Sequence, residues 1–361
     1  MENDTMNFTI QKDLYLGKIT DCYLGYSNER KIRENSASGG IVSQLIISLL
    51  KTKQIDGALL CRSKIIDKKI SYEVKIVTDP DDVLNYSSSV YFDIPLLKFI
   101  PEIQQFDGRL AFVGLPCHIH ALRKMRARDQ SIAKKIVLII GLFCGHNTQK
   151  DLLLDVLEQK GILESDVRGI VFRRGHWRGI MEVTINDGSM ISFPFQHFSL
   201  YQNLFCDSLK KCLHCYDHTA EEADISCGDA WLPYLKKDPV KHSIIVARND
   251  RANEILHELR RNGDGFLMRI EPEMVFESQK RPLIFHKSIE ARSKIGKLLG
   301  YSIRCPPEYL QKARWNDYLS AAMILVTIRF CSQKTLRAIF LLLPRFILYP
   351  WLYAFKLLTN F

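Results

Sequence analysis

Four of the ten cysteines fall within residues 206–227, and two of them form the pair Cys212-Leu213-His214-Cys215. Thiolates two residues apart can reach one metal centre, because a tight turn between them aims both sulfurs the same way. Two further cysteines follow apolar runs of strand length: Cys117 comes after residues 109–115 through Pro116, and Cys144 directly after residues 135–143. Both thiols are therefore expected just past the carboxyl ends of strands, where open α/β sheets bind ligands. A thiol that opens a helix is also expected to have a lowered pKa. Neighbouring parallel strands would bring Cys117 and Cys144 together, and Cys212 with Cys215 would complete a four-thiolate set suited to a 4Fe-4S cluster. Zinc accepts the same ligands, although structural zinc sites usually draw on two compact pairs. Cys206 and Cys227 stand as substitute ligands, and Cys22, Cys61, Cys305 and Cys331 read as packing thiols. His214 and His218 read as hydrogen-bonded or exposed rather than as ligands.

A second set of residues suits an anion. Arg33 and Ser36-Ala37-Ser38-Gly39-Gly40 lead straight into an apolar-periodic segment that begins at Ile41. Small residues there let backbone N–H groups approach a ligand, and the helix N-terminus favours a group such as pyrophosphate. The plain alternative is a serine N-cap beside permissive glycines. Neither a Walker motif nor G-x-G-x-x-G is present, so a Rossmann nicotinamide site finds no support. Ser87, Ser88 and Ser89 before Tyr91 offer hydroxyls, and Arg173, Arg174, His176, Trp177 and Arg178 offer cations and rings, with ordinary solvated loops as the alternative for both. There is no Ser-His-Asp or Cys-His nucleophile pattern and no nucleic-acid module.

The elements that must position these groups alternate in the first third of the chain. A helix is expected over residues 41–52, and buried strands over 55–62, 109–115 and 135–143, with a helix between the last two. This is an α/β pattern: a mostly parallel sheet with flanking helices. After about residue 168, two strand-like runs flank Asn186-Asp187-Gly188, a hairpin signal that makes this later part antiparallel. Beyond residue 251 the pattern is mostly helical. Three parts are expected: 1–110 for the anion site, 111–300 for the cysteines, and a hydrophobic basic helical tail over 301–361.

At 361 residues with 47% hydrophobic and 25% charged content, the chain can bury a sizeable core and is not a disordered segment. A net charge of +10 favours anionic partners. Residues 1–14 are polar with no basic start and apolar run, so a cytoplasmic protein is expected, in which cysteines serve as ligands, reactive thiols or buried hydrophobes. Residues 335–358 are nearly all apolar, yet Pro344, Arg345 and Pro350 interrupt them. Two short helices at the inner face of the plasma membrane fit that pattern, with Arg329, Lys334, Arg337, Arg345 and Lys356 meeting anionic lipid and Tyr349, Trp351 and Tyr353 at the interface. A pair of core or dimer helices is the alternative.

The segments SASGG, IDGALL, SSSVY, AFVGLPCHIHALR, GLFCGH and CLHCYDHTAEEADISCGDAW, in this order over roughly residues 16–246, resemble the family of coenzyme F-420 hydrogenase/dehydrogenase beta subunits. The resemblance implies an iron-sulfur flavoprotein oxidoreductase that moves electrons between a flavin, usually FAD, and a 4Fe-4S cluster. In archaeal members the flavin exchanges a hydride with coenzyme F-420, and related proteins reduce other substrates. By position, Cys117, Cys144, Cys212 and Cys215 correspond to cluster ligands. Ser36, Ser38, Gly39, Gly40, Ser89 and Tyr91 correspond to flavin contacts, with Arg33 beside them. Unlike larger members, this chain has no C-x2-C-x2-C-x3-C runs, which implies one cluster, a separate electron donor or acceptor protein and a small-molecule substrate. Similar single-module proteins accompany bacterial polysaccharide biosynthesis, a setting that does not call for F-420. The competing class is a zinc-stabilised, non-redox module that binds an anionic glycan intermediate or partner at the membrane.

Overall fold

The computed structural model describes residues 12–310 and 313–358; most of the polar N-terminal stretch, through residue 11, lies outside them. Its strands are β1 (Asp21–Ser27), β2 (Gly57–Ile66), β3 (Lys69–Val77), β4 (Leu110–Gly114), β5 (Ile136–Leu142), β6 (Val167–Arg174), β7 (Ile180–Ile185), β8 (Met190–Pro194), β9 (Ile225–Asp229), β10 (Ser243–Ala247) and β11 (Gly265–Ile270). Eight form one sheet in the order β11-β1-β10-β9-β5-β4-β2-β3, and β6-β7-β8 form a second. The central block β9-β5-β4-β2 is parallel, and β1 points the same way, while β3, β10 and β11 run against it. The expected α/β class holds, and the main sheet takes strands from both sides of residue 110.

β4 and β5 are apolar throughout because both faces of the sheet are covered. Alternate residues go to opposite layers. Leu110, Phe112, Ile136 and Ile139 pack with Ile119 and Leu122 of the helix Pro116–Arg128. Ala111, Leu138 and Ile140 pack with Leu45, Ile46 and Leu49 of the helix Ile41–Lys51 and with Leu256 of Asp250–Arg261. Each such buried aliphatic side chain contributes about 1.5–3 kcal/mol, which holds the strand ends in register.

The second sheet is antiparallel, as the Asn-Asp-Gly signal predicts. Gly188 sits at φ +83° and the turn pairs Thr184 with Met190. The tail comprises the helices Trp315–Cys331, Lys334–Leu342 and Arg345–Leu358. Among the described residues no single helix is long and apolar enough to cross a membrane; the last two would suffice together but are bent by 102°. Their inner face joins the main core through Leu341, Leu348 and Leu352. One expectation for the tail is corrected. Arg337 does not face lipid: it is buried and ion-paired with Asp155 at 2.5 Å, Asp207 at 3.1 Å and Asp151 at 3.4 Å. This guanidinium follows the carboxylates, because a buried charge needs a partner more than an exposed one needs lipid.

Candidate metal centre

The parallel block places three strand ends on one edge. Cys117 opens the helix that follows β4, Cys144 lies two residues past the end of β5, and Asp229 closes β9. Cys212 lies in the short turn Lys210–His214 and Cys215 just past it, with the Cys215 amide donating to the Cys212 carbonyl at 3.2 Å. That turn is pinned beneath the β5 loop: Leu209 N–H donates to Asn147 O at 3.0 Å and Gln149 N–H to Asp207 O at 3.0 Å. The Asn147 amide also donates to Cys212 Sγ at 3.4 Å. The four thiols are thereby within electrostatic reach of one another, since Cys212, Cys117 and Cys215 all act on Cys144.

Burial and these like-charged neighbours push the Cys144 thiol well above its ordinary pKa. Burial likewise raises Cys212 to about 11 and Cys215 to about 12. Cys117 corrects the expectation of a lowered pKa: although the residue is exposed, desolvation by the surrounding protein raises it, and Lys211 first, then the helix-end amides of His118 and Cys117, only partly oppose that. Such thiols stay protonated until a metal's positive charge displaces the protons. Among the described residues no three His, Cys, Asp or Glu side chains converge as around a single metal ion. In a polynuclear cluster each thiolate binds its own iron, so four thiols need not converge on one point to serve as its donors. Of the two substitutes, Cys206 is buried against Cys331 and Cys227 packs within the apolar layer of β9. His218 is buried and hydrogen-bonded to Gln279 at 3.0 Å, and His214 Nδ1 accepts from the Arg304 amide.

Past the carboxyl end of β9, the strand beside β5, a cleft is lined by Ala37, Ser38, His176, Trp177, Asp229, Trp231 and Lys241, among others. Gly228 is required between the two regions, because a Cβ there would lie 2.2 Å from the Phe143 ring. Arg173 is the buried hub. It donates to Asp229 at 2.6 Å and to Tyr91 Oη at 3.2 Å and lies over the Trp231 ring at 5.2 Å. Burial opposes its charge, but Asp229 and Tyr91 more than offset this and hold its pKa above the ordinary value.

The expected anion-loop residues divide. Ser38 lines the cleft and its hydroxyl lies 2.9 Å from that of Ser243. Ser36 and Arg33 turn inward, to Ile32 O and Ser27 O. The Gly39 amide is taken by Ser243 Oγ at 3.0 Å, and Gly40 starts the helix Ile41–Lys51 at φ +79°. Tyr91 reaches the cleft only through Arg173, and Ser89 hydrogen-bonds Tyr91. Lys241, absent from the sequence-based set, enters the cleft and donates to Ser36 O; burial first, then Arg173, lowers its pKa to about 8. Cation, hydroxyl and indole groups suit an anionic, planar ligand. The free space, about 20 Å³, does not enclose an isoalloxazine ring, so no step is routed through a flavin here.

Residues 22–101 match the N-terminal model of the coenzyme F420 hydrogenase/dehydrogenase beta subunit, and residues 107–272 match the C-terminal one. The chain belongs to this family. Among curated relatives of the family member, one subunit of the F(420)H(2) dehydrogenase of Methanosarcina mazei is 31% identical over 206 residues, which is 56% of this chain and 55% of the relative. The coenzyme F420-dependent sulfite reductase of Methanocaldococcus jannaschii is 27% identical over 60% of this chain and 34% of its own. The chain thus spans about half or less of the length of these two relatives. In fold, it matches a chain of the F420-reducing NiFe hydrogenase complex from Methanosarcina barkeri with a TM-score of 0.60 at 21% identity, covering 81% of this chain and 98% of that one.

Proposed function

We propose that this family member is an electron-transfer oxidoreductase subunit that holds one 4Fe-4S cluster on Cys117, Cys144, Cys212 and Cys215 and exchanges electrons with FAD and a separate protein partner. One observation carries the reading: four thiols from three distant segments meet within mutual electrostatic reach at the carboxyl edge of a parallel block. Such a cluster supplies one electron at a time. The chain's own part is to bring the thiols together, to shield Cys144, Cys212 and Cys215 partly from water, and to connect them to the cleft. That connection is continuous: the Cys144 amide donates to His218 O at 2.9 Å, the His218 ring meets Gln279, and Gln279 donates to Asp229 O at 2.6 Å.

FAD is read from the resemblance, with the Ser38 hydroxyl and the Lys241 cation at the cleft suited to its anionic pyrophosphate. Coenzyme F-420 appears in the names of the relatives and is the first hydride partner to try. The tail is read as a peripheral membrane contact, because Leu342, Phe346, Trp351, Tyr353 and Leu357 are exposed beside Arg345. A place in polysaccharide biosynthesis rests on the resemblance alone. The test is iron, acid-labile sulfide and flavin quantification on anaerobically purified protein. Four irons and four sulfides per chain with bound FAD is the expected result (the stoichiometry of one such cluster); colourless protein with stoichiometric zinc sinks the reading.

A further inference from the structure

Arg292 is among the largest fully buried side chains, 1% exposed, and sits on the helix Ile289–Leu298 beyond the matched family segment. A buried guanidinium is costly unless an anion compensates it. Among the described residues Arg292 has none: its acceptors are backbone carbonyls, Leu213 O at 3.3 Å, Cys215 O at 2.7 Å and His286 O at 3.4 Å. Its Nη1 has no hydrogen-bond partner among them. The groups able to become anionic within its electrostatic reach are the thiols of Cys215, Cys305 and Cys212. His286, at the end of the helix Pro272–Lys287, closes the same wall: one ring nitrogen lies 3.1 Å from Cys215 O and the other 2.7 Å from Gly145 O and 3.1 Å from Cys144 O. One imidazole thus lies between the Cys212/Cys215 turn and the β5 loop.

We propose that Arg292 is the charge partner of the four-cysteine centre, and that the two helices carrying His286 and Arg292 form its closing wall. The assignment rests on the cluster reading above. Four thiolates around an iron-sulfur core leave a net negative charge in a partly shielded place, and reduction adds another. A fixed cation beside two of the thiolates favours the more negative, reduced form. The negative charge of that centre in turn explains why a guanidinium without a carboxylate is tolerated in the core. Arg292 is a positioning and charge residue here, not a ligand.

The test compares wild-type protein with Arg292→Lys, which keeps the charge, and Arg292→Met, which keeps much of the volume without it. Each is purified anaerobically, its fold checked by circular dichroism, its iron and sulfide counted, and its cluster titrated with electron paramagnetic resonance. For Arg292→Met the ratio of reduced to oxidised cluster at a fixed potential should fall at least tenfold, about 59 mV for a one-electron couple, or the cluster should be lost. Arg292→Lys should stay nearer to wild type. Equal potentials in all three proteins, or equal cluster loss in both variants, overturns the assignment alone. A wild-type protein without iron and sulfide overturns the cluster reading and takes the assignment with it.

Discussion

Arg173 donates to Asp229 at 2.6 Å from a position only 4% exposed, so a cation at the end of β6 in the small sheet is held by an anion at the end of β9 in the large one. The pair joins the two sheets at the edge where the cysteines sit. Asp229→Asn leaves the guanidinium buried with a weaker partner and should cost about 3 kcal/mol of stability. Urea unfolding should show a lower midpoint at unchanged slope. A loss below about 0.5 kcal/mol would place the pair among ordinary surface bridges.

The cysteine set makes a sharper claim. Cys117→Ala, Cys144→Ala, Cys212→Ala and Cys215→Ala should each lose most of the bound iron, whereas Cys206→Ala and Cys227→Ala should keep it. The latter two are destabilised instead by the small cavity each leaves, on the order of 1 kcal/mol. Iron per chain, measured anaerobically, decides between them. Full iron in any of the first four variants removes that cysteine from the set.

Lys241 confers a pH dependence whose sign is fixed. Its pKa is lowered from 10.5 to about 8, so the folded protein binds fewer protons than the unfolded chain between those values. The cost of burying its charge is fully present below pH 8 and disappears as pH rises toward 10.5. Over the lower part of that range the cleft loses a cation that faces Arg173, Asp229, Arg174 and Glu34. FAD affinity, followed by flavin fluorescence, should therefore weaken severalfold from pH 7 to 9, and Lys241→Met should abolish the dependence. A flat wild-type profile would contradict the placement of the anion beside Lys241.

The tail separates two kinds of arginine. Arg345→Gln should weaken binding to phosphatidylglycerol vesicles about fivefold, roughly 1 kcal/mol per basic residue near an anionic surface, and added salt should do the same to wild type. Arg337→Gln should instead lower thermal stability, because Asp155 and Asp207 lose their shared cation. Vesicle sedimentation and a melting curve on both variants check the assignment. Equal vesicle binding by wild type and Arg345→Gln would remove the membrane role of this face.

Much of the architecture is legible from local pattern. Apolar runs of strand length became β2, β4 and β5, the helix Ile41–Lys51 follows its apolar period, and Asn186-Asp187-Gly188 makes the β7–β8 turn. These rest on neighbours in the chain, where periodicity and turn chemistry act. The same reasoning misdirected Arg337, because a basic residue in an apolar tail looks the same whether it meets lipid or three carboxylates. Lys241, His286 and Arg292 carried no signal at all: each is an ordinary residue on a loop or helix that meets a partner dozens of residues away or more.

By itself, the sequence determined the α/β class, the hairpin, the spacing of Cys212 and Cys215, and the strand-end positions of Cys117 and Cys144. Only the tertiary structure decided that β9 docks beside β5, which sets the cysteines next to the Arg173–Asp229 pair, and that Arg292 lies buried against Cys215 with no carboxylate of its own among the described residues. The reason is physical. Propensity and periodicity are properties of adjacent residues, whereas the compensation of buried charge is settled by whatever segments the packed sheet brings together.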